Sequence, residues 1–331
     1  MKEGFNGRTF QFGRKVLEGE KSLEELLSFS ESLKERKKVE NPFRRSALIV
    51  SGDRIKHLKK ALIRNADVVI LNVEDGVSPE RKEFARIFIR KFLTNTPLDG
   101  SKEVVIRING IETTYFYEDL FQLLPTIPHG IRLSKVESSE DVVALDRIIN
   151  AFERSRKIER GFIKIHLSIE TGRAVESLNE ILSASDRIEA CYLGILDLFA
   201  DLKLPQGFTK GSLGLYVKEK FVLTCRSFNV HPIAPAFQEY EDLKGFEEET
   251  LLEKEMGFSG KMCISVKQAE IANRVFSPSE EELRRAKEIV EVYEKALAEG
   301  KGGVAYKGLF IDQPIYRDAL NTLKYSGSSR S

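Results

Sequence analysis

Eight short apolar runs alternate with amphipathic stretches over residues 46–278, and this alternation limits the folds open to the chain. The runs have the length of buried strands, and stretches between them, such as DRIKHLKKALIRN and SSEDVVALDRIINAFERSRK, place apolar residues at the helical period. Eight strands alternating with helices are typical of an α/β fold, the (β/α)8 TIM barrel. A doubly wound open sheet is the alternative, but no GxGxxG motif follows the first run, which removes one reason to prefer it. The runs occupy residues 47–50, 67–73, 103–109, 130–136, 161–170, 188–196, 230–234 and 260–265.

The segments on either side of this pattern are predicted to be additions to the barrel domain of residues 46–278. Residues 1–45 are interpreted as an N-terminal helical extension, because KSLEELLSFSESLKERKK (21–38) carries an apolar stripe and a basic end. Residues 279–331 are predicted to form a C-terminal helical lid segment, with a long helix, a Gly-rich turn and a short last helix. We expect that segment to cover an active-site mouth or a partner subunit.

Charge and cysteine content exclude several classes of protein. The chain has 52 Lys and Arg against 51 Asp and Glu, so no basic excess indicates nucleic-acid binding. Its three cysteines form no CxxC pair, which disfavours disulfides and structural zinc. No apolar run reaches 18 residues and the start lacks a signal-peptide pattern, so we expect no membrane span and a cytoplasmic location.

Polar residues occur where several of the predicted strands end, and in a parallel barrel these ends form the reaction face. Glu74 and Asp75 end the second run, Arg107 lies in the third, Glu170 ends the fifth and Asp197 follows the sixth. Carboxylates without neighbouring His or Cys ligands suit Mg²⁺ or Mn²⁺. An arginine one strand pair away can bind a carboxylate substrate through two parallel hydrogen bonds.

The same acids have a structural interpretation that the spacing alone leaves open, since an acid at a strand end is often a helix N-cap or a salt-bridge partner. Glu170 precedes Thr-Gly-Arg and could open the next helix. Asp75 precedes GVSPE, and Glu137 precedes SSEDVVAL, so either could cap the helix that follows.

Several stretches, in order along residues 46–325, resemble the citrate lyase β-subunit-like family of the HpcH/HpaI aldolase superfamily. This resemblance implies a (β/α)8 barrel, usually trimeric or hexameric, that cleaves or forms a carbon–carbon bond next to a thioester. Citryl-CoA and malyl-CoA lyases are typical members. The stretches are SGDRIKHLKKAL, VILNVEDGVSPERK, IRINGIETTY, LSKVESSEDV, SIETGRAV, GILDLFADL, GFSGKMCISVKQAEIANRVFSPSEEE and GLFIDQPIYRDA.

The resemblance also implies roles for the strand-end residues. Glu170 in IET and Asp197 in LD match the carboxylates that bind Mg²⁺ in the family. Arg107 in IRIN matches the arginine that holds the oxo-acid and polarises its carbonyl. Glu74 and Asp75 match the acids that lie close to the metal waters.

The lid residue and the partners are implied in the same way. Asp312 in FIDQP matches the aspartate that members bring in from a neighbouring subunit, and it is the candidate to protonate the acetyl enolate carbon. The expected partners are an acyl-CoA or carrier-bound thioester and an oxo-acid. The expected assembly is a homotrimer or homohexamer with a shared active site.

Five departures from the family pattern keep alternatives open. They are Ser51, Asn72, Ser134, Leu196 and the pair Ser265–Val266, which replaces His-Pro near the thioester end of the site. The main hypothesis is a Mg²⁺-dependent lyase. The alternatives are an acyl-CoA thioesterase or a hydroxy-oxo-acid aldolase on the same barrel, and a non-catalytic paralogue that acts as a subunit.

Overall fold

Eight parallel strands close into a barrel in chain order, with β8 paired to β1, so the predicted (β/α)8 fold is confirmed. The structure is a computed structural model that describes residues 33–54, 57, 61–62 and 65–324. The strands are β1 (Ser46–Ser51), β2 (Val68–Asn72), β3 (Glu103–Ile108), β4 (Gly130–Leu133), β5 (Lys164–Ile169), β6 (Ile188–Leu193), β7 (His231–Ala234) and β8 (Gly260–Cys263). We call the end of the barrel that is formed by the C-terminal ends of these strands the barrel mouth.

Helices surround the barrel, and side-chain caps fix where some of them begin. Ser138 and Asp141 form a capping box at the start of α3, and Thr171 accepts a hydrogen bond from the Ala174 backbone at the start of α4. The helices are α1 (Lys82–Thr94), α2 (Tyr115–Leu123), α3 (Ser139–Ser155), α4 (Gly172–Glu176), α5 (Leu178–Ser183), α6 (Ile195–Asp201), α7 (Ser212–Ser227), α8 (Leu243–Glu255) and α9 (Val266–Phe276). Short 3₁₀ helices lie at Pro79–Arg81, Leu124–Thr126 and Gln206–Lys210.

The barrel interior is filled by side chains rather than left open as a pore. Small and branched residues dominate it, as expected when strand side chains alternate between the two faces of a closed sheet. Gly260 in β8 allows close packing, because a Cβ there would lie 1.7 Å from the Arg44 carbonyl oxygen. The buried interior cluster comprises Ala47, Val68, Ile70, Val105, Ala190, Tyr192, Ile233 and Met262.

The chain divides into two compact units, Met1–Asn273 and Arg274–Ser331. The second unit contains α10 (Glu280–Ala298), the hairpin strands β9 (Val304–Tyr306) and β10 (Leu309–Ile311), and α11 (Gln313–Lys324). The Gly-rich turn predicted there is therefore a β-hairpin, since Gly308 with φ +79° makes its turn and Tyr306 pairs with Leu309. Apolar residues of this hairpin pack with the buried side chains Ala286, Ile289, Tyr293, Ile311 and Ala319.

Several predicted elements differ from the structure; the fourth and eighth runs, for example, end as strands at Leu133 and Cys263 rather than at residues 136 and 265. The sixth strand was expected to run to residue 196, but it ends at Leu193, because Gly194 caps α6 and helix begins at Ile195. A helix was predicted over residues 21–38, and its part up to residue 32 lies outside the described residues. Residues 33–38 are not helical, because the backbone of Arg36 pairs with Leu98 instead.

No helix within the described part of the chain is both long enough and apolar enough to cross a membrane.

Candidate active site

Arg107 connects two acids at the barrel mouth. Its Nη2 lies 2.9 Å from Oε2 of Glu74, which follows β2, and 2.9 Å from Oε1 of Glu170, which follows β5. Its Nε donates to Oγ of Ser134 at 3.0 Å. The guanidinium is therefore held from three neighbouring strand ends, in a fixed orientation that a single flexible contact could not impose.

Glu170 keeps one oxygen unpaired although it is nearly fully buried, with 3% of the residue exposed. Its Oε1 accepts from Arg107, but its Oε2 has no hydrogen-bond partner among the residues that the structure describes. A buried carboxylate oxygen without a partner is rare, because the lost hydration is not replaced. A bound cation would satisfy this oxygen, so the arrangement fits a metal ligand.

Gly194 makes room for the Glu170 side chain. A Cβ at this position would lie 2.4 Å from Cγ of Glu170, a distance that real side chains do not tolerate. Glu170 therefore takes its position only because the residue that ends β6 has no side chain.

Asp197 supplies a second acid from the first turn of α6. The residue is solvent-exposed as a whole, but partial burial of its carboxyl group and the nearby charge of Glu170 raise its pKa. A second carboxylate close to Glu170 is what a site that binds a divalent cation through oxygen ligands requires. Within the part of the chain that the structure describes, no group of three or more His, Cys, Asp or Glu side chains is arranged to hold a metal.

Glu74 and Asp75 share a lysine. Lys135 Nζ lies 3.3 Å from Oε1 of Glu74 and 3.1 Å from Oδ2 of Asp75. Burial and the charges of Glu170 and Asp75 raise the pKa of Glu74, against the opposing charge of Arg107. The mouth therefore holds three acids and two cations in contact, an arrangement that can bind a polar substrate and move a proton.

Lys135 reaches this position through an unusual backbone conformation. Its φ is +53°, in the left-handed region that non-glycine residues seldom adopt. Gly110 lies against this turn, since a Cβ there would be 3.1 Å from the Ser134 carbonyl oxygen. Strained backbone of this kind persists where neighbouring structure fixes it, and it is concentrated at functional sites.

A buried network of polar side chains fixes the backbone of Glu74. Nζ of Lys82 donates to the Glu74 carbonyl oxygen at 3.1 Å and to Oδ1 of Asn109 at 2.9 Å. Asn109 in turn donates to Asp119, which pairs with Arg86 at 2.8 Å. The backbone that carries the mouth acids is therefore fixed by charge-assisted hydrogen bonds in the interior.

The helix-cap interpretation of the acids is wrong for Glu170, Asp75 and Glu137. Thr171, not Glu170, caps α4. Ser78 holds the N-cap position before Pro79–Arg81, and Ser138 caps α3. Hydroxyl side chains cap the helices that follow Glu170 and Glu137, and the N-cap position after Asp75 is occupied by Ser78, so none of these acids is a cap.

Asp312 belongs to the second unit, where it precedes α11. Its Oδ1 accepts from the backbone N–H of Ile315 at 3.4 Å. The structure describes that unit by itself, so a lid role for Asp312 stays a prediction.

Ser265 and Val266 open α9. Oγ of Ser265 accepts from the backbone N–H of Gln268 at 3.2 Å, while Oε1 of Gln268 accepts from the N–H of Ile264 at 2.9 Å. Ser265 is therefore the N-cap of this helix, and Val266 occupies the first helical position. The departure from His-Pro leaves a well-capped helix.

Sequence reasoning named Ser134 only as a departure and gave Lys135 no role. The sequence did contain evidence for a role of these two residues. Ser134 and Lys135 follow a buried strand at the reaction face, as most of the predicted site residues do. The hydroxyl of Ser134 orients Arg107, and the ammonium of Lys135 pairs with two acids.

Comparison with known proteins shows what this chain is similar to. The model of the HpcH/HpaI aldolase/citrate lyase family matches residues 45–266. The chain is 29% identical to citrate lyase subunit beta of Leuconostoc mesenteroides subsp. cremoris, over 86% of this chain and 94% of that protein. It is 31% identical to the L-malyl-CoA/beta-methylmalyl-CoA lyase of Rhodobacter capsulatus, over 83% of this chain and 92% of that protein.

A solved structure agrees in fold and in sequence. The chain resembles protein CitE of Mycobacterium tuberculosis in complex with magnesium, acetoacetate and coenzyme A, with a TM-score of 0.68 and 26% identity. The similarity covers 85% of this chain and 97% of that one.

Proposed function

The chain belongs to the HpcH/HpaI aldolase/citrate lyase family, and on that premise we propose that it is a Mg²⁺-dependent carbon–carbon lyase acting on a thioester. The substrate would be a 3-hydroxy-carboxy-acyl thioester such as citryl-CoA or malyl-CoA. Cleavage would release an oxo-acid and acetyl-CoA, and the reverse reaction would join them. The observation that carries the proposal is Glu170, with one oxygen paired to Arg107 and the other buried without a partner.

Glu170 and Asp197 are the residues that would hold the metal. Two carboxylates suffice for Mg²⁺, which commonly completes its octahedron with water and substrate oxygens. When bound, Mg²⁺ would polarise the substrate oxygens and stabilise negative charge that develops on them. Mn²⁺ has the same preference for oxygen ligands and is a second candidate.

Arg107 is proposed to bind the oxo-acid. Its contacts with Glu74, Glu170 and Ser134 fix the guanidinium before substrate arrives, so it would orient a carboxylate and stabilise the adjacent oxygen without rearrangement. Glu74 and Asp75 are proposed to act beside it, by accepting hydrogen bonds from water or substrate hydroxyl.

Bond cleavage needs two proton transfers and moves one electron pair. The hydroxyl group would give its proton to Glu74 or Asp75, the proposed acceptors, and become the carbonyl of the oxo-acid. The electron pair of the broken carbon–carbon bond goes to the acetyl thioester as an enolate, whose carbon must then be protonated. Asp312, from a neighbouring subunit of a homotrimer or homohexamer, is the proposed acid, and removing such a group commonly costs about 10²–10⁴ in rate.

The test is a product analysis on a panel of citryl-, malyl- and methylmalyl-CoA with Mg²⁺. We expect an oxo-acid and an acyl-CoA to appear in equal amounts from at least one thioester, the acyl-CoA being acetyl-CoA from citryl- or malyl-CoA and propionyl-CoA from methylmalyl-CoA. Free CoA thiol without an oxo-acid would indicate the thioesterase alternative. An oxo-acid released from free hydroxy-oxo acids but not from thioesters would indicate the aldolase alternative. No turnover of any substrate would favour the non-catalytic paralogue.

A further inference from the structure

One buried arginine near the mouth has no carboxylate partner. Arg132 in β4 is 3% exposed, and within the described part of the chain no acid forms an ion pair with it. Its Nε donates to Oγ of Ser168 at 2.8 Å and its Nη1 to the sulfur of Met262 at 3.3 Å. Its Cζ lies 4.0 Å from the centre of the Tyr192 ring.

The other deeply buried arginines differ from Arg132 in this respect. Arg44 pairs with Glu103 and Glu189, Arg86 pairs with Asp119, and Arg187 pairs with Glu153. Each of them is at most 2% exposed. A buried charge is strongly unfavourable unless it is paired, and the fold satisfies that requirement at each of these sites. Arg132 is the exception.

Arg132 lies one layer below the residues of the mouth. Side chains two residues apart on a strand share a face. Arg132 lies two residues before Ser134, which follows β4, and Ser168 lies two residues before Glu170, which follows β5. Arg132 is also the ladder neighbour of Arg107 on β3. The hydrogen bond from Arg132 to Ser168 therefore joins β4 to β5 two residues before the strand ends that carry Ser134 and Glu170.

The guanidinium stays charged at this depth. Burial, followed by the charge of Arg107, lowers the pKa of Arg132 to about 10, which is still well above neutral pH. The Tyr192 ring attracts a cation, and Ser168 and Met262 accept hydrogen bonds, but none of these neutralises the charge. The charges of Glu170 and Glu74 also favour the guanidinium, but among the described residues neither acid forms an ion pair with it, so no anion is in direct contact with Arg132 there.

We propose that Arg132 binds a second carboxylate of the oxo-acid, so that the substrate is a thioester whose cleavage releases a 2-oxo dicarboxylic acid. This inference rests on the proposed function. The first carboxylate and the carbonyl would bind at Arg107 and the metal, and the substituent on the carbonyl carbon would extend down to Arg132. A hydrogen substituent, as in glyoxylate, or a methyl group, as in pyruvate, would leave the buried cation unpaired. A carboxymethyl group, as in oxaloacetate, would pair with it, which favours a citryl-type thioester over a malyl-type one.

The test measures binding of freshly dissolved oxaloacetate, pyruvate and glyoxylate to the Mg²⁺-loaded full-length protein by calorimetry. We expect the wild type to bind oxaloacetate about tenfold or more tightly than pyruvate, a factor that one hydrogen-bonded charge pair commonly contributes. Arg132→Met should weaken oxaloacetate binding by that factor and leave pyruvate binding within about threefold. Arg132→Lys, which keeps the charge, should retain a preference for oxaloacetate.

Three outcomes overturn the inference. The first is a wild type that binds pyruvate or glyoxylate as tightly as oxaloacetate, a result that needs no variant to fold. The second is equal weakening of oxaloacetate and pyruvate in Arg132→Met, which would make Arg132 a structural residue. The third is an Arg132→Lys variant that has lost the preference. A wild type that binds none of the three acids would instead overturn the proposed function itself.

Discussion

Arg107 shows how far single residues could be assigned from the sequence. Its place in a strand that ends at the reaction face, next to strand-end acids, predicted that it would lie near Glu74 and Glu170, and the structure puts it in contact with both. Arg132 could not be found in this way, because a strand arginine is ordinarily paired, and only the three-dimensional contacts show that no acid of the described residues pairs with this one. Neither could the role of Gly194, which depends on the distance to another strand.

The contacts of Arg107 predict the effect of replacing it by lysine. Arg107→Lys keeps the charge but has one donor atom, so it cannot bind Glu74, Glu170 and Ser134 while also binding an oxo-acid. We expect pyruvate binding to the Mg²⁺-loaded variant to weaken by about 10- to 100-fold, as measured by calorimetry. An affinity equal to that of wild type would show that Arg107 does not hold the oxo-acid. Lys91→Arg, a change at a helix-surface cation, serves as the control.

At the scale of elements, each apolar run became a strand, and the errors for these eight strands were confined to their ends. Strand β6 is shorter than predicted because the backbone changes direction at Gly194. The apolar run continues past that glycine, so the sequence pattern did not predict the change. The hairpin of residues 304–311 was missed because its strands have three residues each, too few for an alternating pattern to be recognised. Residues 33–38 have helical periodicity but pair with residue 98, so a tertiary contact overrides local propensity.

A buried ion pair at the start of β3 predicts how stability depends on pH. Burial opposes ionisation of Glu103, but Arg44, at 2.7 Å, and His166 hold its pKa well below the usual range. Its folded-state pKa is depressed, so its contribution is present above the unfolded value of about 4.3 and is lost as the pH falls below it. We expect the free energy of unfolding, measured by urea titration, to fall less steeply between pH 5 and pH 3 in Glu103→Gln than in wild type. The difference between the two slopes should correspond to the uptake of about one proton on unfolding.

The control for that experiment is Glu255→Gln, at an exposed acid near the end of α8. Its pH dependence should match that of the wild type. Identical slopes for wild type and Glu103→Gln would contradict the depressed pKa.

The start of α9 allows a test of the departure from the family pattern. Ser265 is an N-cap and Val266 is the first helical residue, where proline is well tolerated, so Ser265→His with Val266→Pro should fold. If the change from His-Pro has lowered lyase activity, the double variant should gain turnover of citryl- or malyl-CoA. A folded variant without any gain would indicate a different substrate or a non-catalytic protein. Val266→Pro alone is the matched control for the backbone effect.

At the scale of the whole molecule, the closed barrel was predictable because eight strand-and-helix units leave few topologies. Parallel strands need crossover helices, and these place every strand's C-terminal end at one mouth. The assembly could not be predicted from physical pattern alone, because an interface differs little in composition from the rest of a protein surface. The shared site is therefore a proposal that rests on the family.

A mixing experiment tests the shared site. Glu170→Ala and Asp312→Asn should each be nearly inactive alone. In mixed closed rings, a site needs an intact Glu170 subunit beside an intact Asp312 subunit, so roughly a quarter of wild-type activity should return. Mass spectrometry would verify that the oligomers are mixed. Mixed oligomers without activity would rule out a site shared between subunits, provided that the wild type is active in the same assay.

The most direct test of the account is whether Glu170 and Asp197 hold a divalent cation. Mn²⁺, followed by electron paramagnetic resonance, should bind the wild type at one site per chain. Glu170→Gln and Asp197→Asn should each weaken this binding by about tenfold or more, because water cannot replace the lost charge. Gly194→Ala should also weaken it, since its Cβ would displace the Glu170 side chain while keeping the carboxylate. Glu176→Gln, at a surface acid paired with Lys220, should bind Mn²⁺ as the wild type does. Equal Mn²⁺ affinity in wild type, Glu170→Gln and Asp197→Asn would contradict the account.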